Sequence, residues 1–240
     1  MEERQLDLVL VPMGLLVMGI YHGWLLFTIL RYPKCTVIGL NAMARQRWVK
    51  SIMADPLKNG ILAVQTLRNN IMASTLLAST AITLSSLIGV VVSGTSLATK
   101  SPSNIVYGNK SQLLFSIKYF TILICFLLAF LFNVQCIRYY AHVSFLLSVS
   151  PPRDAGLSIT YVGRCLNRGS VFWSLGLRAF YVSFPLFLWI FGPIPMFVCC
   201  CVMSCALYFL DSTTDFSRHL HDLFGSDEEL KTEGLDSPTP

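Results

Sequence analysis

Charge is scarce in this chain. Only 13% of its 240 residues are Asp, Glu, Lys or Arg, about half the share in an ordinary soluble domain. That shortage comes with 54% hydrophobic residues and a mean hydropathy of +0.60. Together they exclude a disordered protein, a collagen-like fibre and a soluble enzyme of usual composition. Common catalytic signatures are missing as well. There is no G-x-S-x-G, no H-E-x-x-H, no phosphate-binding glycine loop and no C-x-x-C pair, so the commonest hydrolase, metalloprotease and nucleotide-binding classes have no foothold. No nucleic-acid-binding module is present, so no nucleic-acid partner is expected.

What the chain does have is long apolar runs. A bilayer-spanning helix needs about 20 apolar residues. Four stretches qualify, at roughly 8–30, 71–93, 113–137 and 179–210, and none contains Asp or Glu. The fourth is too long for one straight crossing and holds Pro185, Pro193 and Pro195. Proline removes a helical donor and kinks the chain. Four crossings with a kinked last helix is the expectation. Its alternative is five, with a turn at Gly192-Pro193-Ile194-Pro195. The acidic start (Glu2, Glu3, Asp7) and long apolar run of the first stretch read as a permanent anchor rather than a cleaved signal.

Lys and Arg mark the cytosolic side. Segment 31–70 has seven and segment 138–178 has five, against two in 94–112 and one in the head. Both rich segments are therefore expected in the cytosol. Segment 94–112, with the sequon Asn109-Lys110-Ser111, is expected on the other side. Four crossings leave residues 211–240 outside; five bring them into the cytosol. That segment has eight acids and two bases and reads as a disordered tail. Its Ser237-Pro238 and Thr239-Pro240 suit phosphorylation only on the cytosolic side.

Polar groups inside lipid are costly and usually face other helices. In the second stretch Gln65, Arg68, Thr75, Ser79, Thr83 and Ser86 share a face about 80° wide at helical spacing. Asp55-Pro56 marks the start of that helix. In the third, Lys118, Thr121, Asn133 and Tyr140 share another face. These faces predict either helix–helix packing or a polar path between the two helices, through Gln65, Arg68, Thr75, Ser79, Thr83, Ser86, Lys118 and Asn133. Lys118 lies near the outer end, where it is free to snorkel, and no acid within the spans is there to pair with it. His22 is a lone intramembrane imidazole, read either as a site residue or as one bonded to a neighbouring helix.

Arg31, Arg68, Arg138 and Arg178 flank the inner ends of the predicted spans. Residues 41–54 form an amphipathic helix with Trp48, Val49, Ile52 and Met53 on one side and Arg47 and Lys50 on the other; Arg45 breaks the pattern. Contacts to anionic lipid are expected at Arg31, Arg47, Lys50, Arg68, Arg138 and Arg178. The eight cysteines read as small hydrophobes, with Cys199, Cys200, Cys201 and Cys205 crowded in the last span. One acid-and-imidazole cluster exists, at Asp211, Asp215, His219, His221 and Asp222. His219 and His221 do not share a helical face, so no metal site is expected there.

Three segments together carry a resemblance: residues 64–70 (VQTLRNN), 72–82 (MASTLLASTAI) and 167–193 (NRGSVFWSLGLRAFYVSFPLFLWIFGP). They look like the domain-of-unknown-function 599 family of plant and bacterial membrane proteins, the plant-type form most of all, over about residues 1–220. The resemblance implies a multi-pass membrane protein and carries no catalytic residues across.

The expected fold is an all-α polytopic transmembrane bundle with amphipathic cytosolic segments, in residues 1–215, followed by an acidic tail, 216–240. The leading functional expectation is a non-enzymatic scaffold or partner subunit with a basic, lipid-facing cytosolic surface. Its alternatives are a small transporter or channel using the polar path, and a lipid-modifying enzyme at the membrane surface. No cofactor is expected. The partners expected are membrane lipids, anionic ones among them, and a second copy or another membrane protein. The location expected is the plasma membrane or the endomembrane system.

Overall fold

The computed structural model describes residues 3–97, 112–148 and 155–213. Helix α1 is Glu3–Arg31, followed by a single 3-10 turn at Pro33–Cys35. Then come α2 (Val37–Ala54), α3 (Pro56–Leu97), α4 (Gln112–Ser148), α5 (Ala155–Leu188) and α6 (Pro193–Asp211). Every one of these helices except α2 is long and apolar enough to cross a bilayer, which makes five. The chain is an integral membrane protein built as an all-α bundle.

The backbone breaks where the alternative of five crossings places its turn. The fourth apolar stretch divides between Leu188 and Pro193. Gly192 sits there at φ 156°, a conformation that a Cβ disfavours. Its N–H closes the end of α5 on the Leu188 carbonyl at 3.3 Å. Pro193 then opens α6, where its missing donor costs nothing.

Segment 138–178, expected in the cytosol between two spans, is mostly helix. α4 continues to Ser148 and α5 begins at Ala155. Exposed Arg164 and Arg168 alternate with buried Val162, Cys165, Leu166 and Gly169. That is an amphipathic helix face, and its polar half is what disguises it.

Local chemistry sets the other corners. Thr36 caps α2: its Oγ1 accepts from the Gly39 N–H at 3.2 Å and donates to the Pro33 carbonyl at 3.1 Å. A Cβ on Gly39 would lie 2.1 Å from that carbonyl oxygen, so only glycine fits the corner. Asp55 caps α3, accepting from the Lys58 N–H at 3.2 Å, with Pro56 as its first residue. This is the start the sequence predicts.

Helices α3, α4 and α5 pack side by side, each antiparallel to the next, while α1 lies along α6. Register is set by close approaches. Ser74 Oγ meets Cys136 Sγ at 3.3 Å across α3 and α4. Across α4 and α5, a Cβ on Gly176 would sit 2.6 Å from Asn133 Nδ2, and one on Gly169 would sit 2.8 Å from the Tyr140 ring. Each pair is seven residues from the next on both helices, so Asn133 and Tyr140 are two knobs over two glycine holes.

Two large apolar cores result, beside a small one of Tyr21, Leu25 and Leu207 between α1 and α6. One joins α1, α3, α4, α5 and α6 around Val11, Met18, Ala81, Ile122, Phe126, Phe180, Met196 and Cys200. The other joins α2 to the first part of α3, the last part of α4 and the first part of α5, through Val49, Ile52, Leu67, Val143, Val162 and Leu166. We call that end of the bundle the inner end. The end of α6 reaches it too, because Ser212 pairs with Thr36 in an isolated antiparallel bridge.

Candidate polar sites and the basic face

Two polar clusters lie buried among the apolar helices, and neither is the stripe the sequence predicts. The first joins α1, α5 and α6. The Tyr21 hydroxyl donates to Asp211 Oδ2, and Arg178 Nη2 donates to the same oxygen at 2.7 Å. The Arg178 and Asp211 side chains are only 15% and 12% exposed, so this ion pair is largely dry. Beside it, His22 Nδ1 meets the Met18 carbonyl at 2.8 Å and the ring stands edge-on to Tyr21 at 5.0 Å. His22 Nε2 and Arg178 Nη1 are buried with no hydrogen-bond partner among the described residues.

The second cluster lies near the opposite end. Lys118 is buried, donates to the Trp189 carbonyl at 2.9 Å and stands 5.3 Å from the centre of the Trp189 ring. Trp189 Nε1 donates to Asp7 Oδ1 at 3.3 Å, and Asp7 is close enough for its charge to act on the ammonium. Lys118 therefore does not snorkel. It points inward to the carbonyl end of α5, where a cation is favoured. The acid missing from the spans comes from the head of α1, only 7% exposed at Asp7.

The α3 stripe faces away from α4. Gln65, Arg68, Thr75, Ser79, Thr83 and Ser86 are all exposed. The buried face of α3 is Ala63, Leu67, Ser74, Ala78, Ala81, Ser85 and Ile88. The hydroxyls of Thr75, Thr83 and Ser86 satisfy themselves on carbonyls one turn earlier, at 2.8 to 2.9 Å. Lys118 and Asn133 are buried on α4 instead, Lys118 against Trp189 and Asn133 against Gly176. The structure thus separates the eight residues of the candidate path into two sets with a helix between them. The open space at the outer end of the α3–α4 seam, about 600 Å³, is lined mainly by apolar side chains such as Ile88, Val92, Ile117 and Phe120.

Among the candidate lipid contacts, Arg31, Lys50, Arg68 and Arg138 are exposed and Arg47 is half-buried. Arg178 is a correction. Because α5 starts at Ala155, Arg178 lies well inside a helix rather than at its mouth, and its charge is committed to Asp211. Arg45 also leaves the surface: its Nε donates to Asn167 Oδ1 at 2.9 Å, and Asn167 Nδ2 donates to the Ala42 carbonyl at 3.3 Å. Burial holds the Arg45 guanidinium below its ordinary pKa, against a smaller opposite effect from Tyr140. The pair explains why Arg45 breaks the amphipathic pattern: it pins α2 to α5. Arg164 and Arg168 are exposed members of the basic face that the sequence reading did not assign to lipid. Helical spacing within 155–170 was the signal for them.

Asp211 is the one member of the acid-and-imidazole cluster within the described residues; Asp215, His219, His221 and Asp222 lie outside them. No group of three or more His, Cys, Asp or Glu is arranged to hold a metal ion among the described residues. The sequon at Asn109 also falls outside them.

No curated protein and no solved structure shows significant similarity to the chain. The family described as "Protein of unknown function, DUF599" matches residues 9–216. That is nearly the whole apolar chain, including all three segments that carried the resemblance, and the protein belongs to the DUF599 family.

Proposed function

We propose that this protein is a non-enzymatic membrane scaffold or partner subunit whose inner end stands in the cytosol and holds anionic lipid. The observation that carries the reading is the basic inner end. Arg31, Lys34, Lys50, Lys58, Arg68, Arg138, Arg164 and Arg168 are exposed there. The acids described at that end are Asp55, which caps α3, and Asp211, which holds Arg178.

Register gives this surface a level. The contacts of Ser74 with Cys136, and of Asn133 and Tyr140 with their glycines, bring Arg68, Arg138 and Arg168 level along the bundle, within about 6 Å at helical rise. Outward of them, residues 114–137 and 169–188 carry no exposed charge. Those lengths are about 36 and 30 Å, which matches the hydrocarbon thickness of about 30 Å. Three arginines from three helices therefore sit where lipid phosphates lie.

The test is lipid retention. The protein is purified from nanodiscs of phosphatidylcholine with a minor share of phosphatidylserine, and the co-bound lipid is identified by native mass spectrometry. Phosphatidylserine is expected to be enriched. Arg68→Gln with Arg138→Gln is expected to lower the enrichment about fivefold per charge lost, and salt is expected to weaken it. Equal retention of both lipids by the unaltered protein overturns the reading.

One observation favours a second reading, a small transporter or channel. Three ionisable side chains, Asp7, Lys118 and Asp211, are buried among apolar helices, with Arg178 half-buried beside Asp211, and such groups often mark substrate or proton pathways. Since the α3 stripe faces outward, a path along it requires a second copy of the chain against α3. Arg68→Ala and Ser79→Leu are expected to abolish ion flux in proteoliposomes on that arrangement, and Lys118→Met on a path within one chain. Flux in all three variants equal to that of the unaltered protein rejects both placements.

A further inference from the structure

The chain leaves α6 at a defined place. Ser212 pairs with Thr36, the Thr213 N–H donates to the Cys35 carbonyl at 3.4 Å, and Thr213 Oγ1 donates to the Lys34 carbonyl at 3.4 Å. Residues 214–240 therefore begin beside the 3-10 turn that leads into α2, on the basic inner end. This holds whichever way the protein sits in the membrane.

The charge of that segment is opposite to the surface it starts on. Residues 214–240 contain seven acids and two bases, with Asp227-Glu228-Glu229 as the densest run. Reach also fits. Fourteen residues separate Thr213 from Asp227, and a linker of that length in the random-coil regime spans about 20 Å on average. Lys50 lies 14 residues beyond Thr36 along α2, about 21 Å at helical rise. Tethering holds such a segment at an effective concentration in the millimolar range, so the weak attraction of exposed charges becomes sufficient for frequent occupancy.

From this placement we infer that the acidic segment 214–240 docks back on the basic face of α2 and the adjoining start of α3, with Asp227, Glu228 and Glu229 against Lys50 and Lys58, and competes there with anionic lipid headgroups. The competition rests on the lipid-holding function proposed above; the docking itself does not. The occupant is this chain's own C-terminal segment. The segment acts as a charge-matched cover that a membrane rich in anionic lipid displaces.

A carbodiimide that joins carboxylates directly to amines tests the docking in the full chain, in neutral detergent. Peptide mass spectrometry is expected to find residues 227–229 joined to Lys50 or Lys58. The triple variant Asp227→Asn, Glu228→Gln, Glu229→Gln is expected to lose those products, and high salt is expected to reduce them at least several-fold. Nanodiscs containing phosphatidylserine are expected to suppress the cross-links relative to pure phosphatidylcholine. The triple variant is expected to retain more phosphatidylserine than the unaltered chain.

Absent cross-links in neutral detergent, or cross-links that survive the triple substitution unchanged, overturn the docking. If they are absent while phosphatidylserine enrichment persists, the docking fails and the lipid function stands. If they form and respond to salt but no phosphatidylserine is enriched, the docking stands and the lipid function fails.

Discussion

Asp211→Ala is expected to destabilise the folded protein by about 3–5 kcal/mol, the usual result of removing one partner from a buried ion pair. Arg178 is the reason. Its side chain is 15% exposed, it spends Nη2 on Asp211, and its Nη1 is already buried without a partner among the described residues. Losing Asp211 strands the guanidinium among Tyr21 and the apolar side chains of α1, α5 and α6. Arg178→Ala is expected to cost a similar amount, by stranding the carboxylate.

The double variant Arg178→Met with Asp211→Leu is expected to recover most of that loss, because two apolar side chains replace two charges that were costly to desolvate. Thermal unfolding of the unaltered protein, Arg178→Met alone, Asp211→Leu alone and the double variant in one detergent closes the cycle. Additive losses, with the double variant as unstable as the two singles combined, show that the pair has no coupling and sink this account. Because Asp211 is also the last residue of α6, the same variants loosen the Thr36–Ser212 bridge next to it. Loss of tail cross-links in Asp211→Ala, with recovery in the double variant, is the corresponding secondary result.

The second large effect belongs to the α4–α5 seam. Gly176→Ala places a methyl 2.6 Å from Asn133 Nδ2, and Gly169→Ala places one 2.8 Å from the Tyr140 ring. Both neighbours are buried, and Asn133 is additionally held by its bond to the Ala129 carbonyl at 2.8 Å. Overpacking of this kind costs about 1–3 kcal/mol per site. Trimming the opposing knob is expected to relieve it: Asn133→Ala should recover stability in Gly176→Ala but not in Gly169→Ala, seven residues away. Recovery in both, or in neither, contradicts the register. Circular dichroism melts in detergent suffice, since helix content and its loss temperature are the only readouts required.

Much of the architecture was legible in the residues. Apolar run length predicts the spans because lipid offers no partners to an open backbone, so the cheapest satisfied structure is a helix. The amphipathic α2, with Val49, Ile52 and Met53 buried and Lys50 exposed, follows from spacing alone. So does the start of α3 at Asp55-Pro56. The number of crossings was harder. A Pro-rich apolar run kinks or turns for the same local reason, and only the φ of Gly192 with the closure of α5 on Leu188 chooses the turn. Segment 155–170 was obscured because half of an amphipathic helix is polar, and at low resolution of pattern that reads as a loop.

The candidate site was legible only in part. Lys118 and Arg178 stand out in any reading as cations in or beside apolar runs. Their partners do not, because Asp7 and Asp211 lie at the edges of other helices, 111 positions from Lys118 and 33 from Arg178 in the sequence. Face periodicity correctly groups Gln65, Arg68, Thr75, Ser79, Thr83 and Ser86. It is silent on which way that face turns. A helix carries two faces, and the choice is made by whichever packs: the small residues Ala63, Ser74, Ala78 and Ala81 let α4 approach closely, so the hydroxyl stripe turns out.

The sequence by itself determined that this chain forms long apolar helices suited to lipid, with most of its cations concentrated in the segments 31–70 and 138–178. Those are properties of transfer free energy, which sums residue by residue and needs no contacts. Tertiary structure alone decided which charge neutralises which, that Arg45 and Arg178 leave the basic surface, and that residues 214–240 begin beside it. Those outcomes depend on interhelical register, and register is fixed by the fit of a few side chains such as Asn133 and Tyr140 into glycine gaps, a match that no single segment contains.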